Sequence, residues 1–285
     1  MCIRSIHVAD RHAETLIVED QIIIQTQRTG IPIYDFDFRA FLSCRSILHP
    51  TVDRPLVARI GAFDDYPTWY AQQQQAGFRP IHSPDDHARC STLSEWYPLI
   101  AEFTPRSRVF HSKPAVEQVE ADFTWPVFVK GIRQTSRHRR QLAIIQSPAK
   151  FMEAMQAYES DAILHWQPMV VREYVPLRPV EDADPERIPS SFEFRTFWWH
   201  GRCVGAGRYW WQAKPYSWTP TEREDALRLG AIVAERVPVP FLVVDLAMTA
   251  DGRWIVIECN DGQESGYAGI SPVGLWSSIL QLLTV

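Results

Sequence analysis

The stretch "FLVVDLAMTADGRWIVIECN" (241–260) sets three oxygen-bearing side chains, Asp245, Glu258 and Asn260, among mostly apolar residues. Asp251-Gly252 is a strong hairpin dipeptide, so the two halves are expected to pair as antiparallel strands. Folding there puts Asp245 opposite Glu258, with Asn260 two residues further on and on the same face. Opposed carboxylates repel, and an acid among apolar neighbours is costly. A divalent cation removes the conflict, since Mg²⁺ takes oxygen from a few carboxylates plus phosphate. The other reading is a solvent-exposed hairpin face, where polar residues alternate ordinarily. The apolar residues on both sides of Asp245 weigh against it.

Three further segments place charge inside apolar runs. "WPVFVKG" ends a strand on Lys130, followed by Gly131 and the basic stretch 133–140. A lysine there suits phosphate as a point charge, and arginine forks would add to it; equally it could reach water from the strand end, beside a solvated basic loop. "VVREYVPL" carries Arg172 and Glu173 in mid-strand before a proline, which by itself marks an edge or linker strand. "FEFRTFWWHG" carries Glu193 and Arg195 at alternate positions, hence on one face, as an ion pair of small worth or as an arginine reaching phosphate.

The elements that must position these residues are legible from pattern. "TLIVEDQIIIQT" is β-rich, and "PLVARIGAF" (55–63) is a strand ending in a turn before a helix from Tyr66 to Gln75. A short strand then leads to a helix capped near Ser83 and a second entered at Ser91 or Ser94. Beyond residue 122 come a strand at 126–131, a helix at 147–160 capped by Ser147, and a strand at 169–177. A Pro- and acid-rich insertion fills 178–191, and a hairpin turning at His200-Gly201 spans 192–210. A helix at 221–237 capped by Thr219 or Thr221, the Asp245 hairpin and a C-terminal helix complete the chain. The aromatic run "FWWHGRCVGAGRYWW" is assigned mainly to the core.

At 285 residues, 46% hydrophobic and 22% charged, the chain is of ordinary globular composition. A net charge of −5 gives no general pull toward nucleic acid or anionic membrane, and no stretch approaches the ~20 apolar residues of a membrane span. Cys2, Cys44, Cys90, Cys203 and Cys259 are scattered and lack a CxxC pair, which argues against a zinc site or disulfide framework and for a reducing cytoplasm.

In this order, Lys130 in "VFVKG", the linker "VREYV", and Asp245, Glu258 and Asn260 resemble the ATP-grasp superfamily over roughly residues 122–270. "PIHSPDDHARCSTLSEWYPLIAEFTP" and "NDGQESG" look like a bacterial and phage branch of it, more distantly similar to eukaryotic cell-division-cycle assembly chaperones. The resemblance implies an α+β fold: two lobes sandwiching a nucleotide (small lobe about 122–172, large lobe about 173–285, together 116–285), after an N-terminal α/β region at 1–115. It implies ATP and Mg²⁺ as cofactors. Lys130 would contact phosphates, Arg172, Glu173, Tyr174 and Val175 the base, and Glu193 and Arg195 the nucleotide. The family more often carries Gln or Glu where this chain has Arg172. Asp245, Glu258 and Asn260 would hold the metal. Asp261, Gly262, Gln263 and Ser265 would bind the acceptor, with Arg195, Lys214 and Arg59 as catalytic candidates. The implied reaction activates a carboxylate as an acyl phosphate and passes it to an amine or thiol. An ATP-binding chaperone and a kinase stay open beside it.

Overall fold

The computed structural model describes residues 13–50, 52–133, 139–161, 164–165, 167–181, 184 and 186–284. The N-terminal region opens with the hairpin β1 (Glu14–Val18) and β2 (Ile22–Thr26), turned by Glu19 and Asp20 at positive φ. Then come α1 (Phe38–Phe41), β3 (Cys44–Ser46), β4 (Pro55–Arg59), α2 (Tyr66–Gln75) and β5 (Arg79–Pro80). Their sheet has the order β3-β1-β2-β4-β5, with β4 parallel to both neighbours. Ser83 and Asp86 form a reciprocal capping box at α3 (Pro84–Ser91). Helix α4 (Leu93–Ile100) starts from Thr92, between the two expected entry points, because Thr92 already has extended backbone.

Strands β6 (Ser107–Phe110), β7 (Val127–Gly131), β8 (Ile144–Ile145) and β9 (Met169–Glu173) form an antiparallel sheet in the order β6-β9-β7-β8. Helices α5 (Val116–Glu120), α6 (Arg140–Ala143) and α7 (Pro148–Ser160) accompany it, and Phe151, Met155 and Tyr158 of α7 pack into its core. Strand β6 pairs with β9 although it lies before residue 116, so this sheet begins earlier in the chain than the sequence suggested. Strand β9 stops at Glu173, short of the expected 177, just ahead of Pro176, which has no N–H to give a ladder.

The last sheet has the order β11-β10-β12-β13, from β10 (Glu193–Trp199), β11 (Arg202–Arg208), β12 (Phe241–Met248) and β13 (Trp254–Asp261). Helices α8 (Pro220–Arg236), capped by Thr219, and α9 (Pro272–Leu283) cover it. On one face Trp198, Leu242, Val244, Leu246 and Val256 pack against α4 and α8. The other face changes character along its length. Phe197, Trp199, Phe241 and Val243 meet α9 and the N-terminal hairpin at one end. Glu193, Arg195, Asp245 and Glu258 continue the same alternation at the other end, where the apolar cover stops. The fold is α+β, and this end of the sheet gathers charged side chains.

Candidate active site in the cleft between two sheets

Asp245 faces Glu258 across β12–β13, as the hairpin pattern predicts, and faces Arg195 across β10–β12. A bulge at Ile257 shifts the register just beyond Glu258 and increases the local twist. Asp245 is 1% exposed. Arg195 holds it with two parallel bonds, Nε to Oδ1 at 2.9 Å and Nη2 to Oδ2 at 2.8 Å. The third arm, Nη1, donates to the Gly266 carbonyl at 3.0 Å. Burial lifts the Asp245 carboxyl above its ordinary range and the Glu258 charge adds to that; Arg195 offsets it only in part.

The second acid pairs across the lobes. The Lys130 ammonium, at the end of β7, donates to Glu258 Oε1. Burial alone would push the Glu258 carboxyl up, but Lys130, then Arg172, and a hydrogen bond with Asn260 bring it below the ordinary carboxylate range. Arg172, on β9, donates from Nε to Ser107 Oγ at 2.9 Å and from Nη1 to the Ile257 carbonyl at 2.7 Å. Its Nη2 is buried and meets no acceptor among the described residues, and burial depresses its pKa.

Lys130, Arg172, Asp245 and Glu258 floor a cavity of about 390 Å³ between the two sheets, while Asn260 lies behind Glu258, off the cavity wall. Lys130, Arg172, Glu173, Tyr174, Val175, Glu193, Asp245 and Glu258 all line it, with Phe128, Ile144, Ile255 and Ile257 as apolar walls. A second cavity of about 450 Å³ carries Tyr34, Glu181, Asp184, Arg187 and Arg195. The two share Ile188, Ser190, Tyr209 and Trp210 as a common wall. Glu193 is buried under that wall and accepts from Ser191 Oγ at 3.2 Å and Trp210 Nε1 at 3.0 Å. Burial, then the charge of Asp245, pushes its carboxyl up to about 8. An all-oxygen set of two opposed carboxylates and an amide, beside an ammonium and a guanidinium, fits a hard divalent cation with a polyphosphate.

Other expected site residues are placed elsewhere. Asp261, Gln263 and Ser265 are buried in a polar knot against the N-terminal region, away from the cavity walls. Gln263 accepts from the Ala58 N–H at 3.0 Å and donates to Asp261 Oδ2 at 3.1 Å, and Ser265 Oγ donates to the Asp261 carbonyl. His82, which sequence reading passed over, accepts the Phe241 N–H on Nε2 at 2.9 Å, so Nδ1 carries the hydrogen toward Asp261 Oδ2 at 3.1 Å. Burial raises and His82 then lowers the Asp261 carboxyl, with a net downward shift. Gly262 is glycine because a Cβ there would lie 2.5 Å from the Phe241 ring. These four residues therefore shape the turn that closes β13, with the polar side chains of Asp261, Gln263 and Ser265 engaged inside the protein and not on either cavity wall.

Arg59 is likewise engaged inside the protein. It is 5% exposed and lines neither cavity; Nη1 donates to the carbonyls of Gly262, Gln263 and Ser265 at 2.8, 2.9 and 2.8 Å. Lys214 is exposed and lines neither cavity, its backbone N–H bonding Glu181. Arg133 reaches Glu264 at 3.3 Å, while residues 134–138 of the expected basic phosphate loop lie outside the described residues. His82, Cys90 and Asp261, and likewise His87, Asp261 and Glu264, stand close enough to share an ion. The Phe241 and Asp261 bonds already occupy both His82 nitrogens, which speaks against the first group as a metal centre.

Residues 91–279 match the family model of an ATP-grasp domain, clade family 3, which is more than half of the chain. The chain belongs to the ATP-grasp family. Solved structures agree on the fold. An ATP-grasp RimK domain protein from Sphaerobacter thermophilus is similar at 13% identity, over 83% of this chain and 84% of its own, with a TM-score of 0.56. The VanG D-Ala:D-Ser ligase of Enterococcus faecalis is similar at 14% identity, over 84% and 73%, at 0.58. The D-alanine–D-alanine ligase of Bacillus anthracis, complexed with ATP, is similar at 12% identity, over 82% and 79%, at 0.57. No curated protein matches by sequence. The cavity that Lys130, Asp245 and Glu258 line lies between sheet β6-β9-β7-β8 and sheet β11-β10-β12-β13. No helix among the described residues is long and apolar enough to cross a membrane.

Proposed function

We propose that this ATP-grasp protein is an ATP- and Mg²⁺-dependent ligase that joins a carboxylate to an amine through an acyl phosphate. The observation that carries the reading is the opposition of Asp245 and Glu258 on the cavity floor, each held by a cation. Asp245, Glu258 and Asn260 would hold Mg²⁺, which when bound neutralises charge on the triphosphate. Lys130, released from Glu258, would turn to phosphate oxygens, and Arg195, still holding Asp245, would offer them its remaining N–H groups. The base would lie along Glu173, Tyr174 and Val175, beside Arg172 and the apolar walls.

In the reaction, a carboxylate oxygen of the acceptor attacks the γ-phosphorus and ADP leaves with the electron pair. The amine nitrogen then attacks the acyl carbon, phosphate departs, and the nitrogen loses a proton. Preorganised cations are the means by which such a site lowers the barrier. The second cavity, of small-molecule size and sharing a wall with the first, supports a small acceptor over a protein client. The residues before about 105 would form a supporting N-terminal α/β unit.

The test is a screen of amino acids, short peptides and polyamines for ADP and phosphate release with Mg²⁺-ATP. Turnover that requires a carboxylate and an amine together supports the ligase. A stable phosphorylated product with no amide indicates a kinase. No ADP release in any mixture, with tight binding of a protein, indicates a chaperone.

A further inference from the structure

One of the links from the N-terminal region to the cleft is a buried side chain; another is the Ile33 carbonyl, which accepts the Tyr267 N–H at 2.7 Å. Arg59 stands at the end of β4, and its guanidinium lies over the Tyr267 ring at 4.5 Å. Its Nη1 gathers the carbonyls of Gly262, Gln263 and Ser265. Three carbonyls converging on one nitrogen require a tight turn, and the backbone bonds from Glu264 and Ser265 to the Asp261 carbonyl show one. The next carbonyl, that of Gly266, is the acceptor for Arg195 Nη1. Arg195 in turn holds both oxygens of Asp245. Charge-assisted bonds from Arg59 and from Arg195, joined through the backbone between Ser265 and Gly266, thus link β4 to the cleft floor, and such bonds are the stronger and more directional kind.

We propose that Arg59 is a positioning residue for the cleft: by shaping the turn after β13 it fixes the Gly266 carbonyl, and through it the orientation in which Arg195 presents Asp245. This rests on the nucleotide- and metal-binding reading only for its consequence; the geometric claim stands on the bonds themselves. Arg59 touches neither cavity, so it acts only through the turn. Its Nε and Nη2 meet no acceptor among the described residues, which leaves the carbonyl cluster as the guanidinium's work.

The experiment compares Arg59→Gln, Arg59→Lys and Leu56→Ala in the full chain. Leu56 is buried three residues earlier on β4, so its truncation weakens the same sheet without touching the turn. The first readout is the Arg195 Nε–H resonance, assigned by its loss in Arg195→Lys. It should shift and lose exchange protection in Arg59→Gln, recover partly in Arg59→Lys, and stay in place in Leu56→Ala. The second is affinity for ADP with and without Mg²⁺. Arg59→Gln should reduce the gain from metal, by no more than the roughly 10- to 100-fold cost of losing a direct partner of a metal ligand, while Leu56→Ala keeps it. An unmoved Arg195 signal in Arg59→Gln overturns the proposal, and so does a metal-dependent gain as large as that of Leu56→Ala. If the native protein binds no nucleotide at all, the functional reading fails while the resonance still decides the role of Arg59. If Arg59→Gln does not fold, Arg59→Lys carries both readouts against Leu56→Ala.

Discussion

Arg195 and Asp245 face each other on adjacent strands, joined by two parallel hydrogen bonds of 2.9 and 2.8 Å with almost no exposure to water. Asp245→Asn removes the charge but keeps the shape, so it leaves a buried guanidinium without its counterion. We expect a loss of about 3–5 kcal/mol in stability, as for other broken buried pairs, together with loss of metal-dependent nucleotide binding. Chemical unfolding and calorimetric titration check the two parts. Native affinity for Mg²⁺-ADP in this variant would remove Asp245 from the metal site.

Lys130 and Glu258 are paired across the cleft, each on a different sheet. Removing one partner strands the other, whereas removing both does not. Lys130→Met with Glu258→Gln should therefore be more stable than the two single losses added together suggest. Nucleotide binding should fail in all three. A double-mutant cycle by urea unfolding, run beside ADP titrations, separates the structural worth of the pair from its ligand role.

Without Mg²⁺, the phosphates of ATP would have to displace Glu258 from Lys130 unaided and sit beside the Asp245 charge. ADP at 100 times its dissociation constant stabilises a folded protein by about 2.7 kcal/mol. We expect a rise of several degrees in melting temperature with Mg²⁺-ADP and little change with ADP plus chelator. Equal shifts in both would refute the metal role.

Glu193 has a carboxyl pushed up to about 8 by burial, from an ordinary value of 4.5. The native state then holds a proton that the unfolded chain releases. Stability from this group is greatest below about pH 4.5 and falls as pH rises toward about 8. The slope is at most about 1.4 kcal/mol per pH unit. Glu193→Gln should flatten the fall, so that the variant gains on the native protein as pH rises from about 5.5 to about 8.5. Urea unfolding across that range measures the difference; parallel curves would contradict the shift.

Lys214 is exposed and lines neither cavity. Lys214→Ala should leave nucleotide affinity unchanged and stability within about 0.5 kcal/mol. Titration with ADP and urea unfolding of the variant check both.

The cleft floor was legible in the sequence because its geometry is local. Asp251-Gly252 fixes the turn, the turn fixes register, and register sets Asp245 against Glu258. The bulge at Ile257 leaves no such mark. Asp261, Gln263 and Ser265 read as open loop because polar residues after a strand ordinarily are. What buries them, Ala58, Arg59 and His82, lies some 180–205 residues earlier, and no short-range pattern announces that contact. The insertion at 178–191 reads as surface by composition, yet Pro179, Ile188, Pro189 and Ser190 line the cleft. A proline-rich segment is stiff as well as irregular, which suits a wall. The aromatic run divides: Trp198 and Trp199 are core as expected, whereas Tyr209 and Trp210 form the wall between the cavities.

The family match starts at Ser91, yet the last turn of the cleft sheet is tied down from β4 and from His82. Homology and mechanical independence therefore have different borders in this molecule. A chain shortened to residues 91–279 would keep every side chain assigned here to nucleotide or metal, but would unroof Asp261 and Gln263. The leading third therefore packs into the same body as the matched segment instead of hanging beside it.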